Sequence, residues 1–141
     1  MADAVDVIQQ RNITFSGACR VLTAGLQEAQ ILQVNFCIAV VDRAGNLAAY
    51  ARMDGAPLLS GQLAQDKAYT VTAFGLPTHE WFEMIKDEPA LLRGIVKTDR
   101  LIVFGGGVPI LVEGELVGAV GVSGGTSDED RKVAEAAVAV I

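Results

Sequence analysis

Five short apolar segments, separated by turns rich in glycine, aspartate and asparagine, limit how this 141-residue chain can fold. The first two, residues 36–41 and 47–52, flank a turn in which Asp42 can bond its own backbone and Gly45 and Asn46 accept a positive φ. The other three follow one another at residues 101–104, 108–112 and 116–122, with glycine turns between them. Short strands joined by tight turns pair antiparallel. The sequence therefore predicts a mostly antiparallel sheet of about five strands.

Helices are predicted on either side of these strands. Apolar residues recur at helical spacing over residues 14–33 and 57–74, and a third helical stretch begins at Thr78 and is interrupted by Pro89. Thr126 and Glu129 have the spacing of a capping box before a closing helix. This order predicts an α+β fold rather than a doubly wound parallel sheet. We expect residues 1–12 to be an N-terminal arm and residues 13–141 to be a single domain.

Composition and charge exclude several classes of protein. Hydrophobic residues make up 51% of the chain and charged residues 20%, which is typical of a folded core and not of disorder. A net charge of −6 without a lysine or arginine cluster argues against nucleic acid and against an anionic membrane surface as partners. The longest uncharged run, residues 29–41, is too short and too polar for a membrane span. No signal-peptide pattern is recognised in the sequence, and Cys19 and Cys37 are interpreted as reduced thiols. We therefore expect a cytoplasmic protein.

His79 is the only histidine in the chain. A metal site built from several imidazoles of one chain is therefore excluded, and no C-x-x-C pair is present for zinc. One histidine can still be an axial ligand of haem iron, with Cys19, Cys37 or Met53 as soft partners. The alternative is an exposed polar residue in the first turn of a helix.

Lys67 lies among apolar residues of the second predicted helix. If it is buried, it needs a carboxylate partner or it loses its proton, and Asp42 and Asp54 are the partners that the sequence suggests. The alternative is a lysine whose ammonium reaches solvent along the helix surface. Together with Arg52, Asp54 and the glycine turns, Lys67 can also form a small pocket for a carboxylate ligand.

Glycine-rich turns follow two of the predicted strands. Residues 121–125 match the G-x-S-x-G pattern of serine hydrolases, but no histidine follows Ser123, and the fold is not the parallel sheet that this motif requires. Successive amides in such turns can instead bind an anion. The candidates are Gly105, Gly106, Gly107, Ser123 and Gly124. The alternative is that these glycines only permit tight turns and close packing.

A series of short motifs in fixed order resembles a known family from Ile13 onward. The motifs are Val40-Val41-Asp42 with Gly45, Arg52-Met53-Asp54-Gly55-Ala56, Lys67-Ala68-Tyr69-Thr70, Thr78-His79-Glu80, Phe104-Gly105-Gly106-Gly107-Val108-Pro109, Gly118-Ala119-Val120-Gly121-Val122-Ser123-Gly124-Gly125 and Asp130. The chain is identified by them as a member of the GlcG/HbpS family, also described as haem-degrading or PduO C-terminal-type domains. The resemblance implies a profilin-like or PAS-like fold, assembly as a homo-oligomer and, in some members, haem bound through a histidine.

Three functions stay open after this resemblance. The first is a haem-binding or haem-responsive protein in which His79 is the iron ligand, since the first predicted helix contains no histidine. The second is a metal-independent enzyme or accessory protein for a small organic acid, with Lys67, Arg52 and Asp54 as the tentative catalytic residues. The third is a non-catalytic oligomer in which Lys67 and Asp54 pair between subunits. Each of the first two predicts a small-molecule ligand.

Overall fold

The computed structural model describes residue 3 and residues 5–141. In chain order its elements are α1 (Phe15–Leu32), β1 (Cys37–Asp42), β2 (Leu47–Arg52), α2 (Ser60–Phe74), α3 (Trp81–Ile85), α4 (Pro89–Gly94), β3 (Gly107–Val112), β4 (Glu115–Ser123) and α5 (Ser127–Val138). Two short 3₁₀ helices, Thr78–Glu80 and Ile95–Lys97, flank α3 and α4. The predicted α+β class is confirmed, and no helix among the described residues is long and apolar enough to cross a membrane.

Within the described residues the strands form one four-stranded sheet in the order β2-β1-β4-β3, and every neighbouring pair is antiparallel. The sheet thus has one strand fewer than predicted, because residues 101–104 are not a strand. The Thr70 hydroxyl of α2 accepts the Ile102 N–H at 3.0 Å and donates to the Arg100 carbonyl at 2.9 Å. Leu101 packs with Trp81 and Ile85. The apolar character of this segment therefore reflects packing against helices.

The two faces of the sheet are covered by different helices. Side chains from alternate positions of β1 and β4, such as Ile38, Val40, Val120 and Val122, form the main core with α1 and α5. The opposite face is covered by α2. A Cβ at Gly121 would overlap the carbonyl oxygen of Ala64, so α2 can lie this close to β4 only because position 121 has no side chain.

Local capping interactions explain where several elements begin and end. The capping box before α5 is confirmed, since the Thr126 hydroxyl accepts the Glu129 N–H and the Glu129 carboxylate accepts the Thr126 N–H. The predicted turn after β1 is also confirmed, with the Asp42 carboxylate accepting the N–H groups of Ala44 and Asn46. Of the predicted N-terminal arm, residues 1, 2 and 4 lie outside the described residues.

Candidate functional site

A buried ion pair joins α2 to α5. Lys67 Nζ lies 2.8 Å from Asp130 Oδ2 and 2.8 Å from the carbonyl oxygen of Val122. The two charged side chains are 0% and 4% exposed. The second oxygen of Asp130 accepts the Gly125 N–H at 3.0 Å, and the ring of Phe104 lies 5.0 Å from Nζ. The prediction that Asp42 or Asp54 pairs with Lys67 is wrong, because within this chain α5 brings Asp130 to it.

Burial shifts the pKa values of the two groups of this pair toward each other, and the attraction between their charges opposes the shift. Burial lowers the pKa of Lys67 below its ordinary value, and the attraction of Asp130 opposes this shift. Burial raises the pKa of Asp130, and the attraction of Lys67 opposes that shift in turn. An amine with a lowered pKa is suited to proton transfer. With its side chain fully enclosed, however, Lys67 reaches a ligand only if its surroundings, including Phe104, move.

The glycine triplet before β3 packs around Lys67 and Thr78. A Cβ at Gly106, whose φ is +127°, would lie 2.7 Å from Lys67 Nζ, and a Cβ at Gly107 would lie 2.7 Å from the Lys67 carbonyl oxygen. The Gly107 N–H donates to the Thr78 hydroxyl at 2.8 Å. A Cβ at Gly105 would lie 3.4 Å from the Cβ of His79. These contacts account for the glycines by close packing, and the Gly107 amide is already occupied by Thr78.

Ser123 and Gly124 lie where β4 ends. Ser123 is buried and is paired with Cys37 in the sheet. Gly124 has a φ of +143°, and a Cβ there would lie 2.5 Å from the carbonyl oxygen of Asn35. A side chain at Gly124 is therefore excluded by both conformation and space.

Arg52 and Asp54 lie apart from the lysine. The Arg52 guanidinium donates to the carbonyl oxygens of Ala56 and, at 3.2 Å, Pro57. Arg52 and Asp54 both line an open groove of about 420 Å³ beside β2. The hydrogen bonds and the ion pair of Lys67 include neither residue, so the structure does not bring the three predicted catalytic residues together.

His79 lies in the 3₁₀ helix that precedes α3, and it is partly buried. Its Nδ1 is buried without a hydrogen-bond partner among the described residues. Burial lowers the pKa of His79, with a further contribution from the positive charge of Arg131, and Glu80 and Glu135 oppose the shift. The imidazole is therefore neutral at neutral pH, which is the form that binds iron.

The three sulfur atoms considered as partners for iron differ in access. Cys37 is fully buried, and Met53 Sδ accepts the Phe36 N–H at 3.3 Å. Cys19 is partly exposed on α1 and lines an open groove of about 400 Å³ together with Arg20. Cys37 is thus inaccessible, whereas Cys19 and Met53 are both partly exposed beside open grooves.

A second charged cluster was not predicted from the sequence. Arg100 Nε donates to Asp66 Oδ1 at 2.9 Å, and the guanidinium lies 3.8 Å from the centre of the Tyr69 ring. Arg100 has a φ of +65°, in the left-handed region that residues with a side chain seldom adopt. Neither periodicity nor a motif marks Arg100, whereas Asp130 at least belonged to the family resemblance.

Comparison with known proteins assigns the family. Residues 13–139 match the family described as "Haem degrading protein HbpS-like", and the chain belongs to this family. It is 37% identical over 106 residues to protein GlcG of Escherichia coli, covering 75% of this chain and 77% of GlcG. These matches confirm the GlcG/HbpS assignment.

Two further relatives differ in how much of them the chain covers. An uncharacterised 15.0 kDa protein from the dhaT-dhaS intergenic region of Citrobacter freundii is 38% identical over 134 residues, with 92% of each chain covered. The corrinoid adenosyltransferase PduO of Salmonella typhimurium is 33% identical over 135 residues, which are 92% of this chain but only 39% of PduO. The similarity to PduO is therefore limited to part of that protein.

Solved structures show the same fold. Protein ORFY of Klebsiella pneumoniae superposes with a TM-score of 0.88 and 30% identity, covering 99% of this chain and 95% of ORFY. The PduOC–haem complex superposes with a TM-score of 0.85 and 32% identity, covering 92% of this chain and 95% of that chain. Haem is thus present in the structure of one similar protein.

Proposed function

We propose that this protein binds haem and that His79 supplies the axial ligand to the iron. The observation that carries the proposal is the state of this imidazole, which is partly buried, neutral at neutral pH and without a hydrogen bond at Nδ1. Support at the level of the family comes from the HbpS-like match and from the PduOC–haem complex. When bound, haem would supply an iron centre for ligand binding or redox chemistry.

The residues around His79 suit such a ligand. Nε2 makes no hydrogen bond among the described residues and is not enclosed as Nδ1 is, so it is the nitrogen that can face an iron atom. Arg131 lies near enough to depress the pKa of the imidazole, and among the described residues its ion pair is with Glu135 at the surface. Its guanidinium can therefore pair with a propionate of haem. Phe82 follows His79 by three residues, and Phe104 adjoins Gly105, where a Cβ would lie 3.4 Å from the Cβ of His79; both rings are about half exposed and supply apolar surface.

A haemin titration of the purified protein tests the proposal. We expect a saturable shift of the Soret band that is lost in His79→Ala and retained in Glu80→Ala, a matched control in the same helical turn. An equal shift in wild type and His79→Ala would contradict the role of His79. If the shift were then lost in Cys19→Ala, the ligand would be the thiolate on α1. No saturable shift at micromolar haemin would refute haem binding itself.

The second candidate ligand is an organic acid, which would bind at a different place, the groove beside β2. Arg52 contributes a cation to the groove beside β2, which is the observation that favours a carboxylate ligand there. A metal-independent enzyme or accessory protein would bind its substrate at Arg52 and Asp54, whereas Lys67, which is enclosed elsewhere with Asp130, would stabilise the fold. Organic acids that raise the melting temperature of wild type but not of Arg52→Gln would support it. An unchanged melting temperature with a broad panel of acids would refute it.

The remaining expectations concern assembly and location. Homo-oligomer formation is proposed because large apolar side chains, including Leu47, Leu58 and Leu59, are at least half exposed in the isolated chain. Because Lys67 pairs with Asp130 of its own chain, a subunit contact would use other residues. The cytoplasmic location and the profilin-like or PAS-like relationship stay predictions.

A further inference from the structure

A small pocket lies between the C-terminal half of α2 and the segment that leads to β3. Its volume is about 170 Å³. The lining residues are Tyr69, Thr70, Ala73, Phe74, Thr98, Asp99, Arg100 and Leu101, and we call it the Arg100 pocket. His79, Lys67 and Arg52 are not among them, so the pocket is separate from the sites discussed above.

One wall of the Arg100 pocket is apolar and firmly supported. Phe74 packs edge-to-face on Trp81, with ring centroids 4.8 Å apart, and Leu101 belongs to the same buried cluster as Trp81. The small side chain of Ala73 leaves the cavity open, whereas a larger side chain at this position would fill it. An apolar cavity of roughly 150 Å³ holds a benzene molecule. The pocket therefore accommodates an apolar group no larger than a phenyl ring.

The opposite wall carries a cation in a fixed position. Asp66 accepts from Nε of Arg100, and the guanidinium stacks on Tyr69. The two Nη atoms have no hydrogen-bond partner among the described residues, and the side chain is 35% exposed. Two parallel N–H groups of this kind match the two oxygens of a carboxylate.

The backbone at Arg100 is held in a conformation that presents this side chain to the pocket. Its φ of +65° is unusual for an arginine. The Thr70 hydroxyl accepts the Ile102 N–H at 3.0 Å and shares its single proton between the carbonyl oxygens of Asp66, at 2.8 Å, and Arg100, at 2.9 Å. These contacts hold the backbone on both sides of Arg100. Backbone strain of this kind is found preferentially at ligand sites.

We propose that the Arg100 pocket binds a small monocarboxylate. The carboxylate lies against Nη1 and Nη2 of Arg100, the Thr98 hydroxyl can donate to it, and the apolar group packs between Ala73, Phe74 and Leu101. The carboxylate of Asp99, which also lines the pocket and is exposed, repels this ligand and weakens its binding. The inference is independent of haem, because its residues are not those proposed to hold the iron.

Titration with benzoate tests the pocket, with benzyl alcohol as an uncharged ligand of similar shape. Trp81 is the only tryptophan in the chain and contacts Phe74, so its fluorescence reports occupancy. We expect saturable binding of benzoate in the millimolar range and much weaker binding of benzyl alcohol. Arg100→Gln should weaken benzoate at least about tenfold, because a charge-assisted hydrogen bond is lost. Asp99→Asn should strengthen it.

Two further variants keep the result interpretable. Ala73→Leu fills the cavity from an exposed helical position without touching the charge, and it should abolish benzoate binding while the protein stays folded. His79→Ala should leave benzoate binding unchanged, which separates this site from the haem site. Equal affinity for benzoate and benzyl alcohol, retention of binding in Ala73→Leu, or no saturable change in wild type would each overturn the proposal.

Discussion

Replacing Lys67 by methionine measures how strongly the buried ion pair holds α2 to α5. Methionine fills a similar volume, so the change removes the charge and leaves little cavity. It leaves the Asp130 carboxylate enclosed without its partner and removes the donor that the Val122 carbonyl binds at 2.8 Å. Breaking a buried pair by removing one partner costs about 3–5 kcal/mol. We expect a loss of this size in the free energy of unfolding.

Asp130→Asn gives the second arm of the experiment. The asparagine oxygen can still accept the Gly125 N–H, but the buried ammonium of Lys67 loses its counter-charge. We expect a cost similar to that of Lys67→Met. The double variant removes both charges, so its cost should be close to that of either single variant. The coupling energy then has the size of one single cost, about 3–5 kcal/mol, which is at or above the upper end for residues in contact.

Urea unfolding of the four proteins at two protein concentrations measures this cycle and detects any contribution from assembly. The matched control is the surface pair Arg131–Glu135, whose side chains are 45% and 51% exposed and four residues apart in α5. Its coupling should be about 0.3–0.5 kcal/mol. Additive costs of Lys67→Met and Asp130→Asn would refute the reasoning, since the two residues would then not stabilise the fold as a pair.

Two further predictions follow from packing and from titration. Gly121→Ala should prevent folding, because its Cβ would overlap the Ala64 carbonyl. Gly94→Ala should instead be neutral or stabilising by up to about 1 kcal/mol, since nothing lies within 4 Å of a Cβ there. Circular dichroism and thermal unfolding compare the two variants, and a stable Gly121→Ala protein would contradict the close approach of α2 to β4. Burial lowers the pKa of His79 in the folded protein below its ordinary value of 6.5. The stability that depends on the neutral imidazole is therefore complete above pH 6.5 and is lost as the pH falls from 6.5 through the pKa of the folded state. Urea midpoints should therefore fall less on acidification in His79→Gln than in wild type, and equal slopes would show that burial does not shift this imidazole.

Local features of the sequence predicted local features of the fold well. The turn after β1 forms because the Asp42 carboxylate accepts nearby N–H groups, and the capping box of Thr126 and Glu129 spans three residues. The predicted fifth strand was wrong because an apolar run has the same composition whether it pairs in a sheet or packs on helices. The deciding contact, from the Ile102 N–H to the Thr70 hydroxyl, spans 32 residues.

The candidate site was predictable only in part, because its deciding contacts also join residues that are far apart in the sequence. Burial of Lys67 and its need for a carboxylate follow from its apolar neighbours in the helix. The choice of Asp130, which lies 63 residues further along the chain, depends on how α5 crosses the sheet. Arg100 carries no signal in periodicity, since its importance comes from a positive φ and from contacts with α2.

The packing of the sheet explains where ligands can bind in this fold. Glycines at positions 107 and 121 bring α2 so close to β3 and β4 that no ligand fits at those contacts, and the ion pair of Lys67 closes the neighbouring end. His79 and Arg100 instead both belong to residues 75–106, the segment of short helices and loops between α2 and β3. Changes at exposed positions of that segment, away from Thr78 and Gly106, would alter the proposed ligand groups without disturbing the sheet. A shared fold with different ligands is therefore the physical expectation for proteins built on this frame.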